Sequence, residues 1–163
     1  MVAENIFFGL LSAVIGISAL RVVTTKNLVH AAIYLVLVLA GVGGIYILLA
    51  QEFLAITQVI VYIGAIVVLV LFGLFLTRAP IAQESALDND QRWIAALVAL
   101  FLAGGLGAIL ADAYGQRELH VRTVQRTADV SISIFQTYVI PFEVASVLLL
   151  AALVGAVVIA RRD

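Results

Sequence analysis

No cysteine occurs in the 163 residues, so disulfides, iron–sulfur clusters and thiolate metal sites cannot be built on this chain. Charge is scarce as well: Asp, Glu, Lys and Arg make up 12% of the sequence, against about 25% in soluble domains. The net charge of −1 comes without a basic patch, which excludes a nucleic-acid binder. Only two histidines are present, His30 and His120, too far apart in sequence to suggest a histidine metal cluster. What fills the chain instead is apolar: 64% hydrophobic residues, against roughly 45–50% in soluble proteins. A soluble domain of ~150 residues still leaves about 30% of its unfolded surface exposed, so it could not hide that excess. Lipid must be the solvent, and a soluble enzyme is excluded.

A helix needs about 20 apolar residues to cross a ~30 Å hydrocarbon core. Five stretches free or nearly free of charge meet that need, at about 5–20, 28–50, 53–76, 93–111 and 138–160. They predict an all-α integral membrane protein of five transmembrane helices, in one membrane domain over 1–163. A polar inner loop would cover 77–92 and an outer loop 112–137. The first stretch lacks a basic region before it and a small-residue cleavage site after it, so a retained helix is expected in preference to a signal peptide. One side of the membrane would carry Arg21, Lys26, Arg78, Arg92, Arg161 and Arg162, the other only Arg117, Arg122 and Arg126. That asymmetry predicts a cytoplasmic C-terminus and an outer N-terminus. Trp93, Tyr114 and Tyr138 fall at span ends, where interfacial aromatics belong. In the outer loop, Val130 to Phe135 alternates apolar and polar residues; a short interfacial turn is expected there, since a lone strand has no partner.

Small residues recur within the spans: Gly9, Ala13 and Gly16, then Ala40, Gly41, Gly43 and Gly44, then Gly104, Gly105 and Gly107. Close backbone approach through such residues is the usual route to helix association in lipid. Ionisable residues at mid-depth, the machinery of a self-sufficient pump, are missing from every span. Glu52 and Glu143 stand at span starts, Glu143 just behind Pro141, where it would complement a helix N-terminus. His30 follows Asn27 at the start of the second span and reads as an interfacial packing residue. The third span holds the polar exception. Gln58 and Tyr62 lie four residues apart, on one face of an α-helix, and both need hydrogen-bond partners where no water is offered. Gly64 follows in a run of β-branched residues, where a helix can bend or be wound as a π-bulge. The blander reading is a cross-helix bond from Tyr62, with Gly64 admitting a neighbour.

Three stretches resemble subunit J of the proton-pumping NADH-quinone oxidoreductase, respiratory complex I, and its mitochondrial counterpart NADH dehydrogenase chain 6. Asn27-Leu28-Val29-His30-Ala31-Ala32-Ile33-Tyr34-Leu35 resembles the family's second-helix opening. Gln58-Val59-Ile60-Val61-Tyr62-Ile63-Gly64-Ala65-Ile66-Val67-Val68-Leu69 resembles its third-helix signature. Glu143-Val144-Ala145-Ser146-Val147-Leu148-Leu149-Leu150 resembles the run in its last helix. The resemblance implies a subunit without a cofactor of its own, in a complex whose partner subunits hold FMN, iron–sulfur clusters and quinone. Its neighbours would be small subunit K, the quinone-site H-type subunit, the A-type subunit and the antiporter-like subunits, in the energy-coupling bacterial inner membrane. It further implies that the third helix gates a water path beside carboxylates of subunit K. Tyr62, Gly64 and Val68, with Gln58, are the residues so implicated; Glu143, His30, Tyr34 and Glu52 are secondary candidates. An amide carries no proton, which argues against a relay role for Gln58, where some relatives have glutamate.

Three alternatives differ in what they require. An equivalent subunit of a complex fed by ferredoxin or another donor would look the same, because the donor binds elsewhere. A stand-alone transporter or channel would need the mid-membrane charges this chain lacks. A pure assembly scaffold would tolerate packing-equivalent replacements of Tyr62 and Gly64.

Overall fold

The computed structural model describes residues 2–76, 91–115 and 126–161, and every regular element among them is helical. Helix α1 spans Val2–Thr24 and α2 spans Leu28–Leu48. Helix α3 covers Glu52–Leu76, α4 Arg92–Tyr114, the short α5 Thr127–Ile132 and α6 Val139–Ala160. All but α5 are long and apolar enough to cross a membrane, which makes five candidate spans. The polar connector expected at 77–92 lies almost wholly outside the described residues, as do His120, Arg78, Arg117, Arg122 and Arg162.

Caps explain the boundaries of α2. Asn27 is extended (φ −97°, ψ 114°), and its side-chain oxygen accepts hydrogen bonds from the backbone N–H groups of Val29 (2.9 Å) and His30 (3.3 Å). Two of the donors that every helix start leaves unpaired are thereby satisfied. At the other end, the Gln51 N–H donates to the Tyr46 carbonyl (2.8 Å) and the Ala50 N–H to that of Ile47 (2.9 Å). This is the Schellman pattern, and it puts Ala50 in the left-handed region at φ 55°, a place usually given to glycine. Helix α3 starts two residues later.

Helices α1, α2 and α3 form the packed part of the chain, with α2 in contact with both others. Glycines bring them close. A Cβ on Gly41 would stand 2.5 Å from Ile15 Cγ1, and one on Gly44 would stand 3.2 Å from both Leu11 methyls. Leu11 and Ile15 are one α1 turn apart, and Gly41 and Gly44 one α2 turn apart, so two knobs of α1 fill the two clefts on α2. Gly43 faces the other way, toward α3. The buried residues among those described are correspondingly small or slender: Ser18, Ala32, Ala55, Gln58 and Val67 beside Gly41 and Gly43.

Helix α4 touches no other described element, and α6 touches only the turn that precedes it. Gly104, Gly105 and Gly107, expected to pack helices, have no atom of another described residue near the place a Cβ would take. The aromatic residues at the span ends are exposed.

The region 126–137 departs from the expected loop and turn. Thr127–Ile132 is α-helical and Ser133–Thr137 continues as a π turn, up to the break at Tyr138. The Arg126 N–H donates to the Asp129 carboxylate (3.2 Å) and caps its start, while Phe135 and Phe142 meet edge-on at 5.0 Å to tie the turn to α6. The alternating pattern is too short to command a strand. A helical segment pairs its own backbone groups, whereas a single strand would leave them open beside the lipid. Helix α5 leans on the first turns of α3, Glu52–Thr57.

Candidate functional site

Helix α3 is not uniformly wound. Glu52–Thr57 and Val68–Leu76 are α-helical, but Gln58–Val67 between them is a ten-residue π-helix. Single π turns inside α-helices are the ordinary form, and they gather at functional sites. The stretch coincides with the polar exception of the third span.

Winding decides which residues share a face. Gln58 (6% exposed) and Val67 (2% exposed) are both buried, nine residues apart. At 3.6 residues per turn, nine residues make about two and a half turns and put the two on opposite sides. At the π-helix's roughly 4.4, they make about two turns and fall on the same side. The π winding therefore allows both to be buried on one side.

Gln58 is the anchor of that face. Its Nε2 donates to the Leu39 carbonyl on α2 at 3.4 Å, the long end of hydrogen-bond range. Its Cγ would lie 3.7 Å from a Cβ on Gly43, the residue one turn beyond Leu39. The missing side chain at Gly43 leaves room for the amide to reach a carbonyl already engaged in the α2 ladder. Bonds of this kind between membrane helices average about 0.6 kcal/mol and reach ~1.7 kcal/mol.

The other third-helix candidates are exposed. Tyr62 is 46% exposed and its hydroxyl bonds to no described residue; Gly64 and Val68 (57%) are exposed too. The cross-helix bond of the blander reading for Tyr62 is absent among the described residues. Nor does Gly64 admit another described helix: the one atom of a described residue near its Cβ position is the Val59 carbonyl oxygen of its own π turn, at 3.4 Å.

The secondary candidates are scattered. The His30 ring is exposed at the capped start of α2 and Tyr34 is half-buried one turn on. With 1.5 Å per residue, His30 stands about 14 Å along α2 from Leu39 and thus from Gln58. Glu52, exposed at the start of α3, edges an open apolar groove of about 400 Å³ lined by Ile47, Ala55, Ile56, Val59 and Ile60. Glu143 is the fifth residue of α6, exposed and one residue past its first turn; α6 does not meet α3. Nowhere among the described residues do three or more His, Asp or Glu side chains gather as metal ligands. Two participants were missed in the sequence: Val67, because α-periodicity assigns it to the far side, and the Leu39 carbonyl, because backbone acceptors leave no mark on composition. Gly43 was the available signal.

Comparison with known proteins agrees with this anatomy. Residues 18–159 match the family described as NADH-ubiquinone/plastoquinone oxidoreductase chain 6. The F(420)H(2) dehydrogenase subunit J of Methanosarcina mazei is 38% identical, over 98% of this chain and 92% of its own length. The NAD(P)H-quinone oxidoreductase chain 6 of Synechocystis sp. is 36% identical, over 98% and 82%. That of Leptolyngbya boryana is 33% identical, over 98% and 81%. With most of its length inside the matched region and five apolar helices to match, the chain belongs to the chain 6, or subunit J, family of membrane subunits of NADH-quinone oxidoreductases.

Proposed function

We propose that this chain is a membrane-arm subunit of a proton-translocating NADH-quinone oxidoreductase, and that it couples quinone reduction to proton transfer by rewinding α3. The π-wound stretch Gln58–Val67 carries this reading. Rewinding it as an α-helix changes the twist between Gln58 and Val67 by nearly half a turn, from about two turns to about two and a half. The segment beyond would rotate with it, turning Val67 out and bringing Val68 and its neighbours round. Tyr62 supports the same reading. A phenol in a lipid-spanning helix needs a hydrogen-bond partner, and without one among the described residues it would take water or a partner subunit. The roles of Tyr62, Gly64 and Val68 are conformational and hydrating, and none is a general acid. The carboxylates along the path belong to neighbours, since the middle of every span here is uncharged.

The same reading assigns FMN, iron–sulfur clusters and quinone to partner subunits. It assigns contacts to small subunit K, the quinone-site H-type subunit, the A-type subunit and the antiporter-like subunits. It sets the C-terminus in the cytoplasm and the N-terminus outside, across a bacterial inner membrane. The uncovered surfaces of α4 and α6 suit a chain whose packing is completed by others.

Gly64→Val tests the switch. The glycine is exposed, so a valine should act on winding and spare packing. Assembly should persist while coupled quinone reduction and proton pumping fall at least about fivefold, ~1 kcal/mol of barrier. Undiminished pumping by assembled complexes would refute the switch.

A second reading, a complex fed by another donor, draws on the Methanosarcina mazei relative, named for F(420)H(2). Supplying the purified complex with NADH or with reduced F420 and following quinone reduction separates the two.

A further inference from the structure

We infer that Gln58 is the fixed post of α3: a positioning residue that holds the upstream half of the helix on α2, so that rewinding turns only the downstream half. The inference rests on the switch proposed above and adds to it what holds the upstream end still. Three observations carry it. The amide of Gln58 is buried and donates to the Leu39 carbonyl of α2, and its stem lies against Gly43. The π stretch begins at Gln58 itself, so the post stands at the upstream border of the segment that can rewind. Upstream of it, α3 is held twice more, by the buried Ala55 and by α5 leaning on Glu52–Thr57.

Downstream the hold is of another kind. Val67 is buried, but its side chain offers only dispersion contacts, and in lipid an apolar side chain leaving a helix contact forfeits little, since lipid tails are equally apolar. An amide leaving Leu39 has no such alternative, because lipid offers it no partner. A twist change between the two ends is therefore released at Val67 and resisted at Gln58. The same asymmetry gives Gly43 a purpose: a larger side chain there would displace Gln58 and loosen the post.

Nitroxide distances in the assembled complex test this, and the cysteine-free chain allows labels to be added one pair at a time. Leu37 on α2, Leu54 upstream and Leu69 downstream are all exposed and serve as label sites after replacement by cysteine. Between resting and donor-reduced states, the Leu37/Leu69 distance should shift by up to about 10 Å, the width of a helix, while Leu37/Leu54 stays fixed. A shift of both pairs would overturn the fixed post while leaving a moving α3 intact. A shift of neither would overturn the switch and the post together. In Gln58→Leu, which keeps an apolar side chain, one atom shorter and without the amide, the Leu37/Leu54 pair should begin to move and protons pumped per electron should fall several-fold. An unmoved pair and an unchanged ratio in assembled Gln58→Leu complexes would show that the amide positions nothing.

Discussion

At the residue scale, two positions at the ends of α2 show how backbone geometry and side-chain chemistry can agree or conflict. Asn27 agrees: its carboxamide caps two N–H groups that the helix start would leave unpaired. Asn27→Ala should destabilise the protein by about 1 kcal/mol, read from unfolding in mixed detergent and SDS micelles. Ala50 conflicts, because its left-handed conformation sets Cβ against the following carbonyl at a cost of roughly 1–2 kcal/mol. Ala50→Gly removes that cost and adds about 0.5–1 kcal/mol of unfolded-state entropy, so a net gain of roughly 0.5–1 kcal/mol is expected in the same assay. A loss of stability on Ala50→Gly would mean that the left-handed turn is not the populated one.

At the element scale, α2 carries two different interfaces on neighbouring residues. Gly41 and Gly44 admit Leu11 and Ile15 of α1, while Gly43 admits Gln58 of α3. Gly41→Leu would drive a side chain into Ile15, and overpacking of this kind costs ~1–3 kcal/mol. The expected result is a lower unfolding midpoint of the isolated chain and a lower yield of assembled complex. The Gly64→Val variant makes the opposite pairing at the same scale: normal assembly with impaired pumping. Together the two separate glycines that serve contact from a glycine that serves winding.

At the scale of the whole molecule, the described residues form a three-helix core with two further spans that bury almost nothing of themselves against it. Gly104→Leu and Gly107→Leu should leave the unfolding of the isolated chain unchanged, because no described residue lies near either position. In the complex they should reduce incorporation of the chain, measured as its share of assembled particles on native gels. If both variants incorporate normally, the α4 glycines face lipid. The difference from Gly41→Leu is the point, since only an internal contact harms the chain on its own.

The spans were legible in the sequence because burial in lipid requires long uncharged runs, and no alternative arrangement of a 64% apolar chain is soluble. Gln58, Tyr62 and Gly64 were legible as exceptions for the same reason: polar groups and glycine stand out in a β-branched apolar helix. The contacts they make were not legible. Periodicity arguments assume 3.6 residues per turn, and at that pitch Gln58 and Val67 face opposite ways. Only the tertiary structure, by winding Gln58–Val67 as a π-helix, lets both lie on one face, gives Gln58 a carbonyl on α2, and leaves Tyr62 without a partner among the described residues. Composition determined the solvent and the number of crossings, because transfer into lipid depends on summed apolarity. Winding and helix pairing depend on which backbone groups meet, and that is decided between helices.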